Sequence, residues 1–402
     1  MLMKLRFFFK FLLISLLTGS CSFDKKNTDA FDVDKAINYC VEKTLNTIDG
    51  LDSFDRMPRN ILKGQKEWNT VGIHDWTSGF WPGILWYAYE ASGDSIILNN
   101  AKKFTASLKG VLDVPVDNHD LGFMLFNSYG NGYRLTEDEV YREFVLSAAD
   151  SLATLYKPKV GTILSWPSMV KKMDWPHNTI IDNMINLELL FWASKNGGSK
   201  KLYEIAVNHA SVSMKTLIRG DYTTYHVAVF DTVDGHFIKG VTHQGYADNS
   251  MWARGQAWGI YGFTMCYRET GRPEFLETAK RLADVFIERL PEDKIPYWDF
   301  DDPAIPNSPK DASAAAVAAS AMLELSEYIR NELEKAKLKN NAVSILGNLS
   351  SEAYLSGNQN KAFLMHSTGH KPKNSEVDAS IIYADYYYLE ALLRLKKMKE
   401  RN

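Results

Sequence analysis

Two aspartates in this sequence have surroundings that suit them to acid–base chemistry. Asp182 lies in Asn178-Thr179-Ile180-Ile181-Asp182-Asn183-Met184-Ile185, one acid among four large apolar side chains. Desolvation penalises the charged form, so a carboxyl in such surroundings is pushed toward neutral pH and can deliver a proton there. A helix starting at the same place would oppose this, because its N-terminal dipole favours the carboxylate. Burial is expected to win where the side chain faces a closed pocket. Asp120 lies in Asp117-Asn118-His119-Asp120-Leu121-Gly122-Phe123, with a histidine beside it. Each has a structural alternative: a helix cap or buried pair for Asp182, an Asx turn for Asp120.

The stretch Val241 to Phe263 supplies a wall for such a pocket. A polar loop (Thr242, His243, Gln244, Asp248, Asn249, Ser250) runs into Trp252, Arg254, Gln256, Trp258 and Tyr261. As a helix, Arg254 and Trp258 sit one turn apart, with Tyr261 following on the same face. A guanidinium can pair with a carboxylate in a fork, and aromatic rings stack on the apolar face of a sugar. A core helix with an arginine snorkelling at its edge is the structural alternative. Trp76 in HDWTSGFWPG, Trp166 in ILSWPS and His226 in DYTTYHVAVFD are further candidates, for stacking or hydrogen bonding on one reading and for core packing on the other.

The elements that must position these groups read as helices almost throughout. They are Asp34–Leu45, Trp81–Ala91, a helix to Leu155 opened by a Thr136/Glu139 capping box, Asn186–Ser194, Lys201–Ile218, Met251–Glu269, Glu274–Leu290, Ala312–Glu334, Asn341–Tyr354 and Ala384–Lys397. Gly93, Gly198 and Gly271 each follow an apolar helix, with Ile97, Leu202 or Phe275 four places on and Ala101, Ala206 or Ala279 eight places on. That pattern describes a recurring helical hairpin. Hairpins with long, aromatic-rich connections fit a closed α/α toroid with its site at one mouth; an open helical array is the alternative. Strand signals are confined to Tyr225–Thr242, read as a β-hairpin or irregular lid around Thr232-Val233-Asp234-Gly235. Pro291–Lys310 and Met365–Asp378 read as loops long enough to be functional.

Over the whole chain of 402 residues, 46 Lys and Arg nearly balance 49 Asp and Glu, which gives no electrostatic reason to expect nucleic acid. Lys4, Arg6 and Lys10 precede the apolar run Phe11–Leu17, which is too short to span a bilayer as a stable anchor. Thr18-Gly19-Ser20 then lead to Cys21, a pattern that resembles a bacterial lipoprotein signal, although Leu17 stands one place further out than usual. The expected organisation is a signal peptide over 1–20, a linker over 21–33 and one catalytic domain over 34–402. Export to the periplasm or outer membrane of a bacterium, as a lipoprotein anchored at Cys21, follows; ordinary cleavage and free secretion is the alternative. Cys40 and Cys266 read as buried small hydrophobes rather than a disulfide, and no zinc-ligand spacing is present.

The pieces WTSGFWPG, NHDLGFM, the Asp182 helix, YHVAVFDTVDG, GVTHQGYADNSMWARGQAWGIYGF, DASAAAVAAS and DYYYLEALLRL together resemble glycoside hydrolase family 88, the unsaturated glucuronyl hydrolases. The resemblance runs from about Trp76 to the last helix. It implies an (α/α)6 barrel that acts on the 4,5-unsaturated uronic acid left at the non-reducing end of glycans by polysaccharide lyases. It implies Asp182 as general acid and base and Asp120 as its partner carboxylate. Trp76, His119, Trp166, His226, Gln244, Arg254 and Trp258 fall at substrate-contacting positions, with Gly240 and Thr242 on the adjoining loop. Arg254 is the group expected to attract the uronate. No metal or organic cofactor is implied.

Near the C-terminus the sequence departs from some relatives, which carry serines where His370 and Lys373 stand here. The positive charge there suits a sulfate on the neighbouring sugar, as in chondroitin or heparin fragments, or belongs to a solvated loop. An unsaturated rhamnogalacturonyl hydrolase acting on pectin fragments is the enzyme alternative, and a non-catalytic helical glycan-binding lipoprotein is the alternative from another class.

Overall fold

Six helices are buried on almost every face, the pattern of segments with no solvent side. In Ala253–Thr270 every residue from Ala253 to Cys266 is buried, and in Ala312–Tyr328 every residue from Ala312 to Ser326. Phe80–Ser92, Asn183–Lys195 and Ile382–Glu400 come close to this. The remaining place is taken by a π-helical segment, Gly122–Gly130, which runs on into Asn131–Thr136. In the computed structural model, which describes residues 31–401, these six pack side by side in chain order. Ile382–Glu400 then returns to Phe80–Ser92 and closes the ring.

Each inner helix is backed by an outer one with a single apolar face: Val33–Ile48, Ser95–Ser107, Glu139–Ala153, Lys200–Thr216, Pro273–Arg289 and Glu332–Leu349. The architecture is an (α/α)6 barrel. The chain from Asp32 onward packs as one compact unit. The expected signal peptide and Cys21 lie outside the described residues. Cys40 and Cys266 are buried free thiols.

All six inner helices begin at the same mouth. Short strands from the connecting loops collect there, which local pattern did not reveal. His177–Ile180 pairs antiparallel with Val227–Phe230, which pairs with Phe237–Val241 across the expected hairpin. A second sheet runs in the order Asn69–Val71, Met57–Ile61, Ser375–Ile381, Ser367–His370. The expected confinement of strands to Tyr225–Thr242 is therefore too narrow, and Met365–Asp378 is not wholly loop. These strands are short, and their partners lie far away in sequence, as with Asn60 opposite Ile381.

Helix boundaries differ from expectation where polar side chains compete for the backbone. Asn331 accepts the N–H groups of Leu333 and Glu334 and starts a new helix, so the expected Ala312–Glu334 ends at Tyr328, and the expected Asn341–Tyr354 begins nine residues earlier, at Glu332, and ends at Leu349. Asp138, not Thr136, caps Glu139–Ala153; Thr136 closes the preceding helix by bonding to Gly132 O. Ser95–Ser107 is the helix that the Gly93, Ile97 and Ala101 spacing implies, whereas Gly122–Gly130 has no counterpart among the expected helices. Gly93 and Gly271 end their helices in the left-handed conformation, each with φ of 68°. In the second copy of the repeat the positive φ falls to Gly197, not Gly198.

Two inner helices approach closely where Gly262 faces Met184: a Cβ there would lie 2.4 Å from the Met184 Cβ. Gly262→Ala is expected to cost about 1–3 kcal/mol through overpacking, read as a lowered melting temperature.

Candidate active site

The strand His177–Ile180 is pinned by its neighbour, and Ile181 N–H continues the ladder to His226 O. This delivers Asp182 to the position just before helix Asn183–Lys195, yet its carboxyl makes no capping bond. The cap alternative is thereby removed. Burial raises its pKa from the usual 3.8 to about 7. The Arg254 charge, its own backbone amide and the Trp258 indole N–H pull the other way and do not prevail. His226 Nε2 lies 3.7 Å from Asp182 Oδ2.

Asp120 is positioned by Asn118, whose side-chain oxygen accepts the Asp120 N–H at 2.8 Å. The Asx turn exists, but Asn118 makes it, and the Asp120 carboxyl is left for other work. Burial, then the negative charges of Asp182 and Asp75, push its pKa well above the carboxylate range. His119 Nε2 stands 3.5 Å from Asp120 Oδ1, and burial holds that imidazole neutral, its pKa down to about 3. Asn186 braces the segment, its Oδ1 accepting the N–H of Phe123 at 2.9 Å. Gly122 is required for this approach, since a Cβ there would lie 2.5 Å from that oxygen.

Trp76, His119, Asp120, Trp166, Asp182, Gln244 and Arg254 line one cleft, together with Ile180. Trp76 is held by Asp75, which accepts the Thr77 N–H and pairs with Arg59 at 2.6 Å. Trp166 meets the rings of His226 and His243 edge-on, at 5.7 and 5.4 Å. Gln244 donates to Gly369 O at 3.0 Å. The rest of the expected site lies behind this surface. His226 and Trp258 stand against Asp182, with Trp258 packed 5.4 Å from both Phe123 and Tyr387. Thr242 builds the turn carrying Gln244 by accepting the Gly245 N–H, and Gly240 is packed against the Tyr225 ring. Tyr261, expected on the same wall, sits two turns further down and hydrogen-bonds Glu390 instead.

Arg254 is not an open fork. Nη1 donates to Asp311 Oδ2 at 2.7 Å and Thr368 O at 2.6 Å, and Nη2 donates to Gly369 O at 2.6 Å. Its Nε–H and one Nη2–H remain uncommitted in a side chain that lines the cleft. Asp311, which also caps helix Ala312–Tyr328, is a partner that sequence reasoning missed, although an Asp-Ala-Ser opening a helix signals a cap. Tyr383, 5.3 Å from the Arg254 guanidinium and 5.1 Å from Trp76, was missed as well. Among the described residues, the acids and imidazoles close enough to share a metal ion are Asp231, Asp234 and His236, in the exposed hairpin turn rather than the cleft.

The family model for Glycosyl Hydrolase Family 88 matches residues 51–391. This chain belongs to glycosyl hydrolase family 88. Within the family it is 41% identical over 362 residues to an unsaturated glucuronyl hydrolase of Formosa agariphila, covering 89% of this chain and 88% of that one. It is 37% identical over 329 residues to an unsaturated chondroitin disaccharide hydrolase of Streptococcus pyogenes, covering 80% and 82%. Among solved structures, a heparin-specific unsaturated glucuronyl hydrolase superposes with a TM-score of 0.87 at 42% identity, over 92% of this chain and 98% of that one. Like its relatives in family 88, the chain is a glycosidase.

Two outcomes follow from the Asp182 environment. If its protonated form works, turnover falls as pH rises through about 7, which a pH–rate profile checks. Because its folded pKa exceeds the unfolded 3.8, the folded state is favoured at low pH, and that advantage is lost as pH rises through about 7. Asp182→Asn is therefore expected to raise the melting temperature at about pH 8 and change it little at about pH 4.

Proposed function

We propose that this chain removes the 4,5-unsaturated uronic acid from the non-reducing end of lyase-generated glycosaminoglycan oligosaccharides by hydrating the C4=C5 bond. The observation that carries this reading is the buried, uncapped Asp182 carboxyl, its pKa raised to about 7, facing a cleft lined by Trp76, Trp166, His119 and Asp120. The substrate is a vinyl ether. Protonation of C4 by Asp182 leaves an oxocarbenium-like centre at C5. The resulting carboxylate takes a proton from water as it adds to C5. The hemiketal then opens and expels the rest of the glycan without attack at C1. A conventional glycosidase needs a second carboxylate set against the anomeric carbon; here Asp120, kept toward its neutral form by burial and then by the Asp182 charge, positions sugar or water. Arg254 attracts the uronate through its two uncommitted N–H groups. The relatives' names, which refer to glucuronyl and chondroitin substrates and to heparin, support a glycosaminoglycan source. They do not favour the pectin-directed or non-catalytic alternatives.

Two finer readings accompany this one. His243 and His370, rings 4.9 Å apart, are held neutral by burial, each with a pKa down to about 4. The exposed Lys373, 3.4 Å from His243, is then the cation left to meet a sulfate. Export with lipid attachment at Cys21 rests on the N-terminal pattern of Lys4, Arg6, Lys10, the apolar run and Thr18-Gly19-Ser20.

The test is incubation with lyase-generated disaccharides, following loss of the alkene ultraviolet absorbance. Asp182→Asn should lower turnover by about 100-fold or more while binding persists; near-normal turnover in that variant would overturn the assignment of the acid. Lys373→Ala should reduce the preference for sulfated over unsulfated disaccharides, and an unchanged ratio rejects the sulfate reading.

A further inference from the structure

His226, behind the acid, is held in one tautomer by its surroundings. Its Nδ1 accepts two backbone N–H groups, from His243 and Gln244, each at 3.1 Å. A ring nitrogen facing two donors has no place for a proton of its own, so the neutral ring carries its hydrogen on Nε2. Among the described residues that nitrogen is buried without a hydrogen-bond partner, and so is the Asp182 Oδ2 that it faces at 3.7 Å. The ring is hemmed in by Trp252, at 4.5 Å between centroids, and by Trp166, edge-on at 5.7 Å. Trp258 Nε1, also a donor only, is buried beside the same carboxyl without another partner. Asp182 Oδ1 is not enclosed in this way, and Asp182 lines the cleft.

We propose that His226 is a positioning residue: fixed as the Nε2–H tautomer by the backbone of His243 and Gln244, it donates to Asp182 Oδ2 and confines the transferable proton to Oδ1, on the cleft side. The inference rests on the reading of Asp182 as the acid. A proton on Oδ2 would point at the His226 N–H, a donor that cannot receive it; a proton on Oδ1 points at substrate. When the Oδ1–H bond breaks and the proton forms the new C4–H bond, the electron pair stays on the carboxylate. The Nε2–H contact to Oδ2 then becomes charge-assisted and tightens. Oδ1 next takes the proton released by the water that adds to C5, which restores the acid. His226 neither gains nor loses a proton in the cycle.

The charged and titratable groups facing this pair agree with a neutral ring. Arg254 approaches from helix Ala253–Thr270, His119 and Asp120 from the loop before Gly122–Gly130, His243 from the loop after Phe237–Val241, and His370 from strand Ser367–His370. Burial above all, with the Arg254 charge, disfavours the imidazolium and pushes its pKa well below 6.5; His243, His370 and His119 are themselves neutral.

Nitrogen-15 NMR of histidine-labelled protein tests the tautomer without substrate. His226 should show a protonated Nε2 and a bare Nδ1 from about pH 5 to about pH 8. A ring protonated at Nδ1, or one that titrates in that range, overturns the proposal. The second measurement is the pH–rate profile of His226→Ala and His226→Gln. Removing a donor that favours the carboxylate raises the Asp182 pKa, so in His226→Ala the falling limb should move up by about one pH unit and kcat should drop about 10-fold or more. His226→Gln, which restores an N–H near the Nε2 position, should return the limb to within a few tenths of a unit. An Ala limb coincident with that of the wild type refutes the donor role. If His226→Ala does not fold, the NMR result on the wild-type protein decides. Absence of any turnover on unsaturated uronides would instead remove the functional reading, and the tautomer would still be judged by NMR.

Discussion

Six helices that begin at one mouth set the electrostatics of the cleft. Each leaves backbone N–H groups without intrahelical partners, and their partial positive charges converge where a uronate would enter. An acid placed there is ordinarily ionised. Asp182 resists because its carboxyl stands in a buried setting and accepts no cap bond. The same convergence that draws in an anion would defeat a proton donor if the aspartate were a conventional cap. Keeping the two effects apart is what the surrounding loops accomplish.

Arg254 is the brace of that arrangement. Through Asp311 it reaches the start of helix Ala312–Tyr328, and through Thr368 O and Gly369 O it holds strand Ser367–His370. Asp311 in turn accepts the N–H of Ser313 and of Thr368 with its other oxygen. A buried ion pair of this kind gives little net stability, but its geometry admits few alternatives. It fixes the distance between the wall that carries Gln244 and the strand that ends at His370.

Much of this was legible in sequence because the signals were local. Asp182 among isoleucines and methionine, the aromatic run around Arg254 and the glycine-terminated hairpins each lie within a dozen residues, and periodicity reads such windows. The unread parts depend on partners far away in the chain. Asp311 is one member of an alanine-rich helix start until Arg254 is placed against it. Met57–Ile61 and Ser375–Ile381 have too little alternation to announce a sheet. Tyr261 illustrates the converse: the helical spacing was right, but two turns along the axis carries a side chain out of the cleft and into the Glu390 network.

The strand Met57–Ile61 sits beside Ser375–Ile381, and the final inner helix starts directly after the latter. Segments from opposite ends of the described chain therefore clasp each other at the rim of the cleft. Contacts of such long sequence separation form late and slowly, because loop closure must precede any gain from them. During synthesis, a polypeptide still lacking its final helix has no Tyr383 beside Trp76 and no latch across the rim. Catalytic competence thus arrives with the last ring contact, and a ribosome-bound precursor has no working half-site to expose.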